Sequence, residues 1–584
     1  MKRLSLQAWI NKFQLVLVRF PFTLMFIVGL AVLCFLSIQK VNVEIKERLW
    51  MFFGLGILLN VAVTLYLEEF KSVKIRILLN VISSVLLSVY CFTLPGKLFE
   101  YQHFQLVALA LVFVLSAFFV SFFKRNNEIP FWNFSKESII QLIISVAFAS
   151  VLFGGLGLAI LSLDKLFNIH ISPKVYSDLS VFSFVLFAPV YFLSNVPDEI
   201  EKRKQDVSFE KIIKIFGLYI LLPILATYTL ILYVYLIQIV FKWQLPNGWV
   251  STLVSVLGLG GFLCMLILHP LYLSKENKVV EKFSKLFPAL LFPLLILMSV
   301  GIFRRISDYD LTINRLYILI LNLWFYGISI YLLITKAGQV KWIVISFATV
   351  TFLSSVGPWS VFSLTKNSLT SQLEKHLTTL HMLQNGKVIM NQIKVQKTDT
   401  LTALKTSETV RYLVMNYGSE SLQPYFSTSL KNKTAFDILE QMNMETAYSD
   451  ANHYFHLYSN NDSCIYNTGS YPTFVMLNTF DNEKNLGRAK NVCENNQLKI
   501  DLLKGNLIVT NKLKNNAVFT IPLKRKIKSL MKESKNQSFP VDEMTLKGTN
   551  YKLIMKSVNG KRDVLRGEII LSNFDAYLFL QLDK

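Results

Sequence analysis

Eleven apolar runs, each long enough to cross a bilayer as a helix, fill the first 362 positions of this 584-residue chain. They fall at Phe20–Ile38, Leu49–Leu67, Ile77–Leu94, Phe104–Phe123, Ser138–Leu163, Tyr176–Leu193, Ile215–Val240, Val250–Leu273, Leu286–Ile302, Leu316–Ile334 and Ile343–Val361. Crossing about 30 Å of hydrocarbon takes roughly 20 helical residues. The runs are continuous rather than alternating, so helices and not barrel strands are expected. Composition agrees, with 53% hydrophobic and 17% charged residues, against about 45–50% and about 25% in soluble chains. Disorder and collagen-like repeats are excluded, and five Cys are too few for a disulfide-dense scaffold. The expected class is an α-helical polytopic membrane domain followed by a soluble α+β domain.

The pattern changes at Phe362. Residues 363–584 hold 29 Lys+Arg and 20 Asp+Glu, and no further membrane-length run. Such a segment is long enough to bury its own core. The chain divides into an interfacial leader (1–19), a transmembrane domain (20–362), a helical neck (363–450) and a β-rich domain (451–584). In the leader, Leu4, Trp9, Ile10 and Phe13 make a broken apolar pattern interrupted by Lys12 and closed by Arg19. That pattern fits an interfacial helix or a frayed polar leader. No small-residue cleavage site follows the first run, so no removable signal is expected.

Cations set the orientation. The N-terminus and the even-numbered loops carry 21 Lys+Arg, and the odd-numbered loops carry ten. The positive-inside rule places the N-terminus in the cytoplasm. With eleven spans the C-terminal domain is extracytoplasmic, on a bacterial cytoplasmic membrane. The net charge of +22 therefore reflects topology rather than nucleic-acid binding. Span six, with Asp178 at its start and Pro189 inside, is the weakest of the set. Cys34, Cys91 and Cys264 lie in spans, whereas Cys464 and Cys493 lie in the tail, where an external location permits a disulfide or two buried thiols.

No span holds an ionisable group at mid-membrane, which weakens an ion-coupled carrier. Asn60, Asn80, Gln141, Asn322 and His269 are better read as interhelical hydrogen-bonding groups than as ligands. Gly154, Gly155 and Gly157 in span five, and Gly258, Gly260 and Gly261 in span eight, suggest close helix packing or else broken helices lining a cavity. Pro223, Pro288 and Pro293 start or kink their helices. A lipid-linked sugar transferase needs external acids, but Glu44 and Glu47 sit among Lys40, Lys46 and Arg48.

The densest polar motif joins spans nine and ten: Arg304, Arg305, Ile306, Ser307, Asp308, Tyr309, Asp310, Leu311, Thr312, Ile313, Asn314, Arg315, Leu316, Tyr317. Three outward Arg run against the charge trend. A rigid loop with Asp308 and Asp310 pairing the Arg is one reading, with Thr312 capping span ten. An anion or lipid-phosphate site at Arg304, Arg305 and Arg315 is the other. In Arg305-Ile306, Tyr309, Leu311-Thr312, Arg315 and Tyr317 the motif resembles a bacterial family, domain of unknown function 4153. Arg19-Phe20-Pro21 and Gly357-Pro358-Trp359-Ser360 resemble it too. Asp310 departs from the family's Gly at the Tyr309–Asp310–Thr312 turn. The resemblance spans most of the chain and implies an integral membrane protein, with no activity attached.

In the tail, Leu369, Leu373, Leu377, Leu380 and Leu383 trace an amphipathic helix closed by Asn385-Gly386. A strand at Lys387–Lys394 and helices at Ser407–Asn416 and Thr434–Asn443 follow. Strands are expected at Tyr454–Tyr458, Thr473–Asn478, Leu498–Leu503, Leu507–Asn511, Ala517–Pro522, Tyr551–Val558, Val564–Leu571 and Ala576–Leu582. Turns are expected at Lys504-Gly505-Asn506 and Asn559-Gly560, and a basic helix at Lys524–Lys535. The result is an antiparallel β-sandwich or barrel. His453 and His456 point to opposite faces of a strand, so no metal, cofactor or catalytic residue is assigned. Lys524, Arg525, Lys526 and Lys528 form a solvated face or touch anionic headgroups. The leading expectation is a non-enzymatic membrane protein presenting its external domain for binding or envelope assembly. Its partners would be the bilayer, an envelope protein or a lipid, and not nucleic acid. A transporter or lipid flippase is second, and the sugar transferase third.

Overall fold

The computed structural model describes the chain except residues 1–5, 42–44, 71, 97, 124–126, 206–210, 243–248, 310, 389–399, 443, 445–453, 460–470, 472, 480–489, 493–494, 504–505, 512–515, 534–537, 564–567 and 582–584. It divides into two compact units, Met1–Thr370 and Ser371–Lys584.

The first unit is all helix. The leader forms α1 (Leu6–Arg19), and Pro21, whose ring suits the first helical position, opens α2 (Pro21–Ile38). Then come α3 (Lys46–Leu67), α4 (Val73–Thr93), α5 (Glu100–Phe119), α6 (Glu128–Phe167) and α7 (Pro173–Asn195). After the single helical turn Glu199–Lys202 follow α8 (Lys211–Lys242), α9 (Trp249–Ser274), α10 (Lys278–Tyr309), α11 (Ile313–Ile334) and α12 (Lys341–Ser355). Among the described residues, ten helices, α2 to α11, are long and apolar enough to cross a membrane. The chain is a multi-pass membrane protein.

The eleventh expected run differs. It becomes α12, a helix of only 15 residues, because Val356 turns to extended backbone and Gly357 takes a positive φ of 90° before Pro358. Its ends nevertheless meet opposite ends of the bundle. At its start the Lys341 backbone N–H donates to Glu128 at the beginning of α6 (3.1 Å). At its end Gln105 of α5 donates to the Ser355 carbonyl (3.0 Å), and Tyr317 of α11 bonds the Ser355 hydroxyl (3.1 Å). The same two levels recur elsewhere. Arg19 meets Glu68, and Trp132 donates to the Ile267 carbonyl, on the α1 side. Lys174 donates to Gln39 on the far side. Short as it is, α12 joins the two ends.

Two helices contain π turns, Val181–Phe187 in α7 and Phe216–Leu221 in α8. Each is followed at its second residue by a proline, Pro189 or Pro223. A proline ring clashes with the carbonyl four residues earlier, and widening that turn relieves the clash. Span six is thus a continuous helix despite Pro189.

The glycine clusters separate. A Cβ added at Gly261 would lie 1.9 Å from the Phe287 ring, and one at Gly258 would lie 2.6 Å from Phe325. These are close-packing positions in an unbroken α9. Gly154, Gly155 and Gly157 have nothing within 4 Å. Neither packing nor a helix break explains them, since α6 runs unbroken for 40 residues. Asn322 donates to Ser299 across α10 and α11 (2.6 Å), as an interhelical group should. Gln141 instead bonds Glu137 on its own helix (2.7 Å). The core is centred on α9 to α11, through Phe262, Leu268, Leu294, Met298 and Phe325.

A helix, α13 (Val361–Thr379), leads toward the second unit. Asn385-Gly386 does not close it. His381 (φ 54°) ends the helix, and Asn385 (φ 52°) and Gly386 (φ 74°) instead turn the hairpin β1 (Leu383–Gln384) to β2 (Lys387–Val388). Two residues with positive φ are what a tight hairpin requires. Next come α14 (Thr400–Tyr417) and α15 (Ala435–Gln441), the latter opened by a capping box between Thr434 and Asp437.

The strands are β3 (Tyr454–Ser459), β4 (Thr473–Thr479), β5 (Lys490–Val492), β6 (Asn495–Leu503), β7 (Asn506–Asn511), β8 (Asn516–Pro522), β9 (Ser538–Phe539), β10 (Thr545–Lys547), β11 (Tyr551–Asp563) and β12 (Glu568–Leu580). They form an open six-stranded sheet, ordered β4-β12-β11-β3-β9 with β10 beside β11, and a four-stranded meander β5-β6-β7-β8. The tail is therefore α+β, as expected, and the described strands leave the larger sheet open rather than closed into a barrel. Helix α16 (Leu523–Glu533) buries Leu523, Ile527 and Leu530 with Leu553, Met555 and Leu578 of that sheet. Asn559-Gly560 is not a turn. Both residues pair within β11, at a register shift opposite Asn573 and Leu571. The extra residue, at 572, is on β12, so this dipeptide lies opposite a bulge, and one long hairpin replaces the three short strands expected.

Candidate functional site

The motif between α10 and α11 does not form the expected cap. Thr312 has the extended backbone of an N-cap residue (φ −111°, ψ 160°), yet its hydroxyl makes no capping bond. Its carbonyl alone opens the helix, accepting from Leu316 N–H (3.0 Å). Arg304 and Arg305 are exposed on the last turn of α10, and Arg315 is half-buried on the first turn of α11. Tyr309 ends α10, and Asp310 lies outside the described residues. Cys464, Cys493 and His453 also lie outside them. His456 bonds Asn559 on β11.

Two buried polar clusters on the α1 side are better organised. In the first, Arg19 closes α1 and donates from Nε to Glu68 at the end of α3 (2.7 Å). Its other nitrogens donate to the carbonyls of Val196 and Pro197 after α7, each at 2.7 Å. Lys202 bonds the second Glu68 oxygen and sits over the Phe134 ring. Side-chain exposure is 13% for Arg19, 14% for Glu68 and 6% for Lys202. Burial pushes the Lys202 ammonium below the usual lysine range, and Glu68 opposes that shift. The Glu68 carboxylate thus ties α3 to α1 and to the Glu199–Lys202 turn, and Arg19 extends the tie to the end of α7. In the second cluster Glu128 faces Lys341 Nζ (3.5 Å) and His269 Nε2 (4.0 Å), joining α6, α9 and α12.

Beside the first cluster a cleft of about 750 Å³ opens between α1, the start of α6 and the end of α7. Lys12, Arg19, Lys136, Glu137, Asn195 and Lys204 line it. Lys12 donates to the neutral amide of Asn195 (2.6 Å). A second pocket, of about 310 Å³, lies between α2, α3, α5, α6 and α7 and is almost wholly apolar. Phe134 and Val196 line both. The π turn of α7 contributes Phe184 to the second pocket, and Ala188 and Pro189 follow it there.

The sequence singled out Arg19 only within the Arg19-Phe20-Pro21 motif and Lys12 only as a leader cation. It passed over Glu68, Lys202, Glu128 and Lys341 as ordinary span-end charges. Their signal was position: acids at the ends of apolar runs on the side richest in cations.

Among curated proteins, an uncharacterised protein of Pasteurella multocida (strain Pm70) is 24% identical over 266 residues. That match covers 45% of this chain and 45% of the relative, so less than half of either length is compared. No solved structure matches. Residues 22–385, from the start of α2 to Asn385 in the turn after β1, match the family described as Domain of unknown function (DUF4153), and the chain belongs to that family.

Proposed function

We propose that the membrane unit anchors the α+β unit on the extracytoplasmic side of a bacterial cytoplasmic membrane, where the larger sheet binds a protein of the cell envelope. The observation that carries this reading is the sheet's second face, the one turned away from α16. There Phe474 and Met476 are each 51% exposed and Tyr458 is 42% exposed. Phe474 packs on Tyr577 and Phe579, while Lys552 and Lys556 sit over the Phe579 and Tyr577 rings. Exposed large apolar groups on one sheet face, flanked by charge, are characteristic of interaction surfaces. The sidedness is supported by the end contacts of α12 and by the excess of cations on the α1 side.

Two measurements test it. Single cysteines at Lys12 and at Trp359, which is 60% exposed, should label from opposite sides of intact cells, Trp359 from outside. In-cell crosslinking through residue 458 should then capture a discrete envelope protein, and Phe474→Glu with Met476→Glu should remove it. Labelling of both cysteines from one side, or crosslinks unchanged by the double substitution, would sink the reading.

A lipid flippase is the second reading, favoured by the π turns in adjacent helices and the side pocket. Reconstituted vesicles that fail to move labelled phospholipid between leaflets would remove it. Arg305→Ala with unchanged flux would separate that activity from the Arg304/Arg305/Arg315 cluster.

A further inference from the structure

We infer that the paired cleft and pocket between α1, α6 and α7 are a binding site for one glycerophospholipid. The phosphate would lie at Lys12, the ester group at Ser138, and one acyl chain in the apolar pocket. The inference stands apart from the sheet surface above.

Three observations converge. The cleft is lined by polar as well as apolar groups and its neighbour almost wholly by apolar ones, and Phe134 and Val196 line both. A ligand filling both must be amphiphilic. Charge gives the head its character. Glu68 and the carbonyls of Val196 and Pro197 hold Arg19. Glu201 faces Lys204 (4.0 Å), whereas Asp198, on the Glu201 N–H (2.8 Å), and Glu137, accepting from Gln141 (2.7 Å), are bonded to neutral donors and keep their charge, so the cleft offers both signs, as a zwitterionic head requires. Lys12, bonded to a neutral amide, keeps a net positive charge to offer an anion.

The third observation is Ser138. Its side chain lines the apolar pocket, the residue is 5% exposed, and its hydroxyl has no hydrogen-bond partner among the described residues. A buried hydroxyl without a partner is costly. Ser138 lies one turn beyond Phe134 on α6, the residue common to both cavities, and so at the boundary between them. In a glycerophospholipid the ester carbonyls occupy that same boundary, between charged head and hydrocarbon, and a carbonyl would accept the Ser138 O–H.

The test uses the full chain in nanodiscs of phosphatidylethanolamine and phosphatidylglycerol, with a trace of each lipid carrying a photo-crosslinking acyl chain. Crosslinked residues are mapped by mass spectrometry. Labelling should concentrate on half-buried pocket residues such as Ile57, Val61 and Phe192. Ala117→Phe, which fills the pocket, should cut that labelling at least five-fold. Lys12→Glu, a change at an exposed side chain, should cut it at least three-fold without touching the pocket. Thermal unfolding of each variant checks folding, and Lys12→Glu keeps the test decisive should Ala117→Phe not fold. Labelling spread evenly over the lipid-facing residues of α6, or unchanged in the folded variants, would mean annular lipid only and would overturn the assignment. Displacement of the label by millimolar inorganic phosphate would overturn it as well, because the site would then be a free-anion site.

Discussion

Replacing Glu68 by Gln removes the one charge that two buried cations share, so the loss can be worked from the geometry. Arg19 reaches one Glu68 oxygen through Nε at 2.7 Å and the other through Nη2 at 3.4 Å, and Lys202 shares that second oxygen. Breaking a buried ion pair by removing one partner costs about 3–5 kcal/mol, because the other charge stays buried. Arg19 retains the carbonyls of Val196 and Pro197, which puts the expected loss near the lower end, about 3 kcal/mol, or roughly a hundred-fold in the unfolding equilibrium. Lys202 retains the Phe134 ring beside it and only the weaker pull of Glu69. Its folded pKa already lies below the ordinary value through burial, so folding disfavours its charged form. Stability therefore rises with pH between the folded pKa and the unfolded value of about 10.4. Without Glu68 that window widens, and raising the pH from 8 toward 10 should stabilise Glu68→Gln more than the parent. The double variant Glu68→Gln/Lys202→Met should recover more than half of the loss. The assay is SDS titration of the full chain in mixed micelles, followed by tryptophan fluorescence. A loss below about 1 kcal/mol, the surface-pair range, or a double variant no better than the single, would refute the reasoning.

The glycine clusters give opposite expectations in the same assay. Gly261→Ala places a methyl against Phe287 and should cost about 1–3 kcal/mol, whereas Gly155→Ala meets nothing and should gain up to about 1 kcal/mol from helix propensity; the reverse order would refute the packing assignment. In the second unit, the Thr434 backbone N–H and hydroxyl hold the Asp437 carboxyl below its ordinary range. The box should therefore contribute fully above the usual aspartate pKa of about 3.9 and fail as pH falls through the lower folded value. Hydrogen-exchange protection of Ala435–Gln441 should fall across that window and with Thr434→Ala; equal protection throughout would show that the box does not hold the helix.

The apolar runs made the membrane unit legible, because length and continuity are local properties and the bilayer allows few alternatives. The strands of the tail were legible for a similar reason, through alternation. What escaped depended on distance along the chain. Arg19, Glu68 and Lys202 are 49 and 134 residues apart, and nothing in the local pattern around each names the others. Asn559-Gly560 misled because a dipeptide that suits a hairpin turn can also lie opposite a bulge, and only the partner strand decides between them. Thr312 misled because its residue type favours a cap without ensuring that the hydroxyl turns inward. The π turns had one legible sign, a proline inside each apolar run.

The fifteen-residue α12 has a consequence for the bilayer around it. Such a helix covers about 22 Å, some 8 Å short of a hydrocarbon core of about 30 Å. Where lipid surrounds a short helix, the membrane must thin locally. Here protein covers one face of the helix, since Ile343, Ile345, Ala348, Ser354 and Ser355 are buried, while Phe352 and Leu353 stay exposed. Gln105, Tyr317 and Ser355 meet one to two turns inside the starts of α5 and α11. The far end of the short helix is therefore met by polar side chains of its neighbours, so hydrogen bonds within the protein, rather than lipid headgroups, satisfy its last turn.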